Sequence, residues 1–279
     1  MLNLLALFLQ AAQPIAADAS MCWQADWCLP AEPLRIAGNV YYVGTKGLSA
    51  FLITDPKGHV LIDGGLPQSA PLIAGNIRKL GFRVEDVHYL LINHAHFDHA
   101  GGLAELKRLS GAKLVASTLD AGDLEAGAAR HRPEQPRVPP VRVDRRIGDG
   151  AQLRLGGIRL TARLTPGHTP GATSWVLTTR DGGGLFTVLF ASSLTVAGLK
   201  LPAHPGYPNA AADFRTTFAK LRRTRADVFL AFHPNNFGLE EKRAKAGGSA
   251  NPFIDPAELG RRVAAAQTAF EAELAQPAQ

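Results

Sequence analysis

His94-Ala95-His96-Phe97-Asp98-His99 is the stretch on which the reading turns. It follows Val87-His-Tyr-Leu-Leu-Ile-Asn93, an apolar run of β character. Three histidines and a carboxylate therefore stand where a buried strand ends, and the strand gives the backbone stiffness needed to aim them. His94 and His96 are two residues apart, so on extended backbone they point to the same side. Asp98 and His99 follow as the chain turns into a helix. The result is two donor sets facing adjacent positions. Imidazole nitrogen and carboxylate oxygen suit Zn²⁺ without any thiolate. The bland alternative is a group of solvent-facing histidines in a loop, and residue type and spacing fit a metal site better.

A zinc centre needs further donors, and two more histidines follow strands. His168 lies in Thr165-Pro-Gly-His-Thr-Pro170, a tight loop. His233 lies in Phe232-His-Pro234, after the apolar run Ala226–Ala231. A lone histidine in either place would read as structural; together with the cluster they read as ligands. His59, His88, His131 and His204 are read as structural or exposed.

Working outward, strands are expected at 39–43, 49–54, 59–63, 87–93 and 113–116, with helices at 69–80 and 102–109. Leu72, Ile73, Ile77 and Leu80 share one face of the first helix. Ser117 is placed to N-cap another helix, with Asp120 at the capping-box position. Residues 126–150 are rich in Arg, Pro and Gly and read as a surface loop of a length that often carries function. Strands resume at 152–155, 158–164, 173–177, 185–191 and 226–231, with helices at 211–221 and 256–274. Strands in two groups, each followed by helices, predict an α/β fold. Two sheets pack face to face with helices outside, as opposed to one doubly wound parallel sheet. No linker divides residues 20–279.

The chain has 279 residues with 46% hydrophobic side chains, enough for a real core. Residues 1–19 combine a short apolar run with Ala17-Asp-Ala19, and are read as a signal peptide cleaved near Ala19, although they hold no Lys or Arg. The expectation is a periplasmic protein without a membrane span. In that oxidising compartment Cys22 and Cys28, the only cysteines, could close a small loop; free thiols in an arm are the alternative. The formal charge of +6 invites a nucleic-acid partner. The basic residues are scattered, however, and a small-molecule substrate for a monomer is expected instead.

The order HxHxDH, a histidine in Pro166-Gly-His-Thr-Pro-Gly171, and a strand-end His233 resembles the metallo-β-lactamase superfamily. Ile62-Asp-Gly-Gly65 is similar to its earlier IDGG motif. Arg35–Ala50, Pro139–Asp144 and Asn251–Pro256 resemble subclass B3 β-lactamases. The resemblance implies a four-layer αβ/βα sandwich of two mixed sheets flanked by helices. It implies two Zn²⁺, the first on His94, His96 and His168 and the second on Asp98, His99 and His233. It implies hydrolysis of the β-lactam amide by a metal-bound hydroxide that Asp98 orients, hence antibiotic resistance. Asp63 would support the metal loop from behind. Ser193 stands where many superfamily hydrolases place a bridging aspartate, which speaks against lactone and thioester hydrolysis. Ser193 and Thr195 would then hydrogen-bond the substrate carboxylate. A related exported dizinc hydrolase of lactones or thioesters is the alternative, and a nuclease stands behind it.

Overall fold

The computed structural model describes residues 19–201 and 204–276. The signal-peptide reading falls on residues outside these, apart from Ala19. Seven strands form one sheet in sequential order: β1 (Leu34–Ala37), β2 (Val40–Tyr42), β3 (Phe51–Ile53), β4 (His59–Ile62), β5 (Val87–Leu91), β6 (Lys113–Ser117) and β7 (Arg145–Ile147). The β1–β4 meander is antiparallel, while β4 to β7 run parallel. The second sheet has the order β12-β11-β10-β9-β8. Its strands are β8 (Gln152–Leu155), β9 (Ile158–Leu164), β10 (Thr173–Asp181), β11 (Gly184–Ala191) and β12 (Val228–Ala231). Only the β11–β12 pair is parallel. Both sheets are mixed, as expected.

Period-two patterning assigns each face. On β3, Phe51 and Ile53 enter the core between the sheets, while Leu52 faces the other way. On β4, Val60 and Ile62 go inward and Leu61 outward. The inter-sheet core holds Phe51, Trp175 and Phe190, all essentially without exposure. Each such side chain is worth about 2–3 kcal/mol relative to standing in water. The outward face of the first sheet is covered by α1 (Ser69–Lys79), α3 (Leu103–Ser110) and α4 (Thr118–Ala126) through Ile73, Ile77, Leu106 and Leu124. Between them lies the single turn α2 (Phe97–Ala100). After the second sheet's hairpins come α5 (Ala210–Arg222), α6 (Leu239–Ala244) and α7 (Glu258–Leu274). Phe214 on α5 packs on Phe270 of α7 with ring centres 5.3 Å apart.

Two strands escape the sequence pattern. β1 and β7 are short, and β7 shows two exposed arginines and one buried isoleucine. Nothing local marks β7 as a strand; pairing with β6 makes it one. The segment read as loop from 126 to 150 therefore starts after α4 ends at Ala126 and is interrupted by β7 at Arg145–Ile147.

The two sheets are tied where the chemistry lies. The Asn93 carbonyl just beyond β5 accepts from Thr173 N at 2.7 Å and Ser192 Oγ at 3.2 Å. The neighbouring Ile92 carbonyl accepts from Trp175 Nε1 at 3.2 Å. No helix among the described residues is long and apolar enough to cross a membrane.

Candidate metal centre

Each donor leaves the end of an element. β5 runs into His94 and His96; α2 presents Asp98 and His99; β9 leads to the His168 loop; β12 delivers His233. β5 and β9 are each held on both sides by a ladder and β12 is paired with β11, and in each the polar residue comes after the ladder ends. The fold thus places all six predicted ligands in one cluster. His94, His96 and His168 offer nitrogens that all lie within 4.8 Å of one another, and so do the donors of His94, Asp98 and His99. Asp98 Oδ2 is 3.2 Å from His99 Nε2 and 3.4 Å from His233 Nε2. His94 stands at the centre, its ring 4.9 Å from His96, 4.6 Å from His168 and 4.4 Å from His99.

The outer nitrogens are already held. His168 Nδ1 donates to the Thr195 carbonyl at 2.8 Å, and His233 Nδ1 to the Gly47 carbonyl at 2.8 Å. His94 Nδ1 lies 3.5 Å from Ser192 Oγ. Each contact fixes a ring and leaves Nε2 with its lone pair. Asp63 is completely buried and takes up a left-handed backbone conformation, φ 64°. Asp tolerates that region better than most residues. Its carboxylate accepts from Asn93 N at 2.8 Å and Asn93 Nδ2 at 2.9 Å, and lies 3.6 Å from His99 Nδ1. It therefore backs the loop that carries His94.

The electrostatics fit a cation. Burial, reinforced by neighbouring histidines, pushes His94 and His96 well below the usual imidazole range. Burial also pushes His168 down to about 3. These three are neutral at pH 7, the form that ligates. Burial alone would raise Asp98, yet His99 and His233 outweigh it and hold the carboxyl well below its usual range. At His99 burial is again opposed, here by the carboxylates of Asp98 and Asp63, and the group rises to about 10. The field that retains a proton on His99 would equally retain a metal ion. Neither ring nitrogen of His99 makes a hydrogen bond of good geometry, although both are fully buried. A buried imidazole without such partners is costly unless something else occupies its lone pair. Nitrogen and carboxylate donors without a thiolate are the zinc-type set.

The cluster opens on a cleft of about 350 Å³. One wall comes from the N-terminal arm, where Cys22 and Cys28 form a disulfide with Cα atoms 5.9 Å apart. This bridge holds Trp23 and Trp27 over the site. Trp27 stacks on His233 with ring centres 5.4 Å apart, and Trp23 lies 4.5 Å from Phe97. The sequence reading left Phe97 and both tryptophans without a role; nothing in their local pattern distinguishes them. Thr195 lines the cleft, whereas Ser193 lies beneath it, its hydroxyl 3.1 Å from Thr195 Oγ1. Arg132 is the one Lys or Arg lining the cleft among the described residues.

Asp120 has a larger part than its sequence position suggests. Ser117 Oγ caps α4 by accepting from Asp120 N at 3.1 Å, as predicted. The Asp120 side chain does not turn back to close a capping box. It accepts from Ala95 N at 3.0 Å, Thr169 Oγ1 at 2.9 Å and Gly171 N at 2.8 Å. Ala95 lies between two ligands and Thr169 follows a third, so one buried carboxylate joins both ligand loops.

The sequence profile of the metallo-β-lactamase superfamily matches residues 43–233, which include every donor of the cluster. The chain belongs to the metallo-β-lactamase superfamily. A subclass B3 metallo-β-lactamase of Bradyrhizobium japonicum superposes with a TM-score of 0.86 at 42% identity, covering 90% of this chain and 96% of that one. A subclass B3 metallo-β-lactamase isolated from a soil metagenome library gives 0.85 at 40% identity, covering 90% and 98%. Among curated proteins, a hydroxyacylglutathione hydrolase of Rhodopseudomonas palustris (strain BisB5) is 32% identical over 126 residues, 45% of this chain. The chain spans only 42% of that relative's length. The protein is therefore a superfamily hydrolase with a His-rich metal-binding cluster, structurally close to subclass B3.

Proposed function

We propose that the protein is a subclass B3 β-lactamase that uses two zinc ions to open the β-lactam amide of penicillins, cephalosporins and carbapenems. On this reading it acts as a periplasmic monomer on a small-molecule substrate and confers antibiotic resistance. The observation that carries it is the donor cluster: six nitrogen- and carboxylate-bearing side chains gathered from four elements at the floor of an open cleft. His94, His96 and His168 would hold one ion, and Asp98, His99 and His233 the other.

Zinc, when bound, polarises a carbonyl oxygen and lowers the pKa of a water toward neutrality. The chain's own residues supply position and charge. Asp98, kept ionised by His99 and His233, orients the attacking water by accepting its hydrogen bond. Thr195 and the Arg132 guanidinium line the cleft where a substrate carboxylate would seat. Ser193 supports Thr195 from below. Trp23 and Trp27 offer an apolar wall.

A second reading, favoured by the curated relatives, is hydrolysis of a hydroxyacylglutathione or a lactone. One assay separates them. Purified protein is given a chromogenic cephalosporin, a carbapenem, a hydroxyacylglutathione, an acyl-homoserine lactone and RNA, each with and without chelator. The proposal expects chelator-sensitive opening of both β-lactams, restored by zinc. Preferred turnover of the thioester or lactone, with both β-lactams intact, would overturn it.

A further inference from the structure

The segment following α4, read from sequence as a surface loop, sends one side chain into the protein. His131 is 5% exposed. Its Nε2 lies 3.3 Å from Nε2 of His96, and the two rings are stacked at 25°. On its far side His131 Nδ1 is 3.5 Å from Asp123 Oδ2. Asp123, in the last turn of α4, is itself held by the backbone N–H of Arg130 at 3.3 Å and by the Arg130 guanidinium. The edge of the ring is closed by Tyr207, 6.0 Å away.

His96 differs from three other donors in how it is held. His94, His168 and His233 engage an oxygen through Nδ1, which leaves Nε2 for an ion. His96 is engaged through Nε2, which leaves Nδ1. An imidazole that ligates through Nδ1 carries its proton on Nε2, and that N–H must donate. The acceptor within reach is Nε2 of His131. For that atom to accept, His131 must carry its own proton on Nδ1, where it points at Asp123. One tautomer of each ring satisfies every contact. The opposite choice places two N–H groups, or two lone pairs, against each other in a buried site, at a cost of order 1–3 kcal/mol.

We propose that His131, fixed by Asp123, is a positioning residue: it accepts from His96 and sets that ligand's tautomer and ring orientation at the metal centre. The inference rests on the metal-centre reading above. Carboxylate–histidine support of a ligand commonly adds 10- to 100-fold to metal affinity. Here the support passes through a second imidazole, because Asp123 stands one ring too far from His96 to reach it directly. His131 is not a ligand in this account. Its nitrogen faces the outer edge of His96, and it joins neither donor group of the cluster.

The test uses two variants. His131→Phe keeps the stacked ring and removes the acceptor; His131→Gln replaces the acceptor with an amide oxygen. Zinc affinity is measured by competition with a chromogenic chelator. The absorption spectrum of the Co²⁺-substituted protein reports ligand geometry, and thermal unfolding of the zinc-free protein reports folding. Zinc affinity is expected to fall about 10- to 100-fold in His131→Phe, with a changed Co²⁺ spectrum and an unchanged zinc-free midpoint. His131→Gln should recover most of the affinity. The proposal is overturned if His131→Phe binds zinc as wild type with the same spectrum, or if His131→Gln folds normally yet does not recover affinity. If Phe is not tolerated in the fold, His131→Leu, which also removes the acceptor, takes its place with the same expected loss. A wild-type chain that binds no zinc would remove the metal-centre reading as well, whereas equal binding by all three removes only the role of His131.

Discussion

Replacing Asp120 with alanine should damage the metal centre from behind, without touching a donor. In the native chain this carboxylate accepts three hydrogen bonds, from Ala95 N, Thr169 Oγ1 and Gly171 N, and it is 1% exposed. Alanine leaves the Ala95 and Gly171 N–H groups buried without an acceptor, while the Thr169 hydroxyl can rotate elsewhere. An orphaned buried donor costs about 1–3 kcal/mol, so the two amides together cost about 4 kcal/mol. Urea unfolding of zinc-free wild type and Asp120→Ala at pH 4, where the Asp120 contribution is complete, measures this as a shift in midpoint at constant slope. The pH dependence has a definite sign. Burial raises the Asp120 carboxyl from 3.8 to about 6, against the pull of its hydrogen bonds. The folded state therefore binds that proton more tightly than the unfolded state does. Its contribution to stability is fully present below about pH 4 and is lost as pH rises through 6. A difference of about 2 pH units corresponds to about 3 kcal/mol, so the gap between wild type and variant narrows by up to that amount from pH 4 to 7. A variant within about 1 kcal/mol of wild type at pH 4, or a gap that widens with pH, would refute the argument.

Two further outcomes follow from the same geometry. Gly171→Ala drives a Cβ into Ser117 Oγ and Asp120 Oδ1, both pinned by hydrogen bonds, so the neighbours cannot yield cheaply. A loss of about 1–3 kcal/mol is expected, read as a thermal midpoint about 5 °C lower; an unchanged midpoint would mean the approach is not that close. Replacing Cys22 and Cys28 together by serine frees the arm that holds Trp27 against His233. KM should rise severalfold with kcat nearly unchanged; a fall confined to kcat would contradict a substrate-binding role for this wall.

The ligand types and their places were legible in the chain because both are local properties. An apolar run of strand length ends where a histidine begins, and this recurs before His94 and His233. The lone-pair chemistry of His and Asp then names the metal class without reference to the fold. The sheet grouping was legible for the same reason, since alternation along β3 and β4 states which side of each strand is buried. The edge strand β7 was not, because its two exposed arginines carry no alternation and its partner β6 lies nearly 30 residues earlier.

What surrounds the donors was decided by the tertiary structure alone. Asp120 looked like half of a capping box. Only the approach of the Ala95 and Gly171 loops, from two different sheets, turns it into the brace between ligands. Ser193 and Thr195 read alike in sequence; the turn after β11 buries the first and exposes the second, 3.1 Å apart through their hydroxyls. His131 looked like one more loop histidine, and the path of the chain after α4 lays it on His96. Sequence names the atoms that bind a metal because their chemistry is intrinsic. It does not name the atoms that hold those ligands still, because any buried polar group can serve if it is brought within 3 Å, and only the packing of the two sheets brings it there.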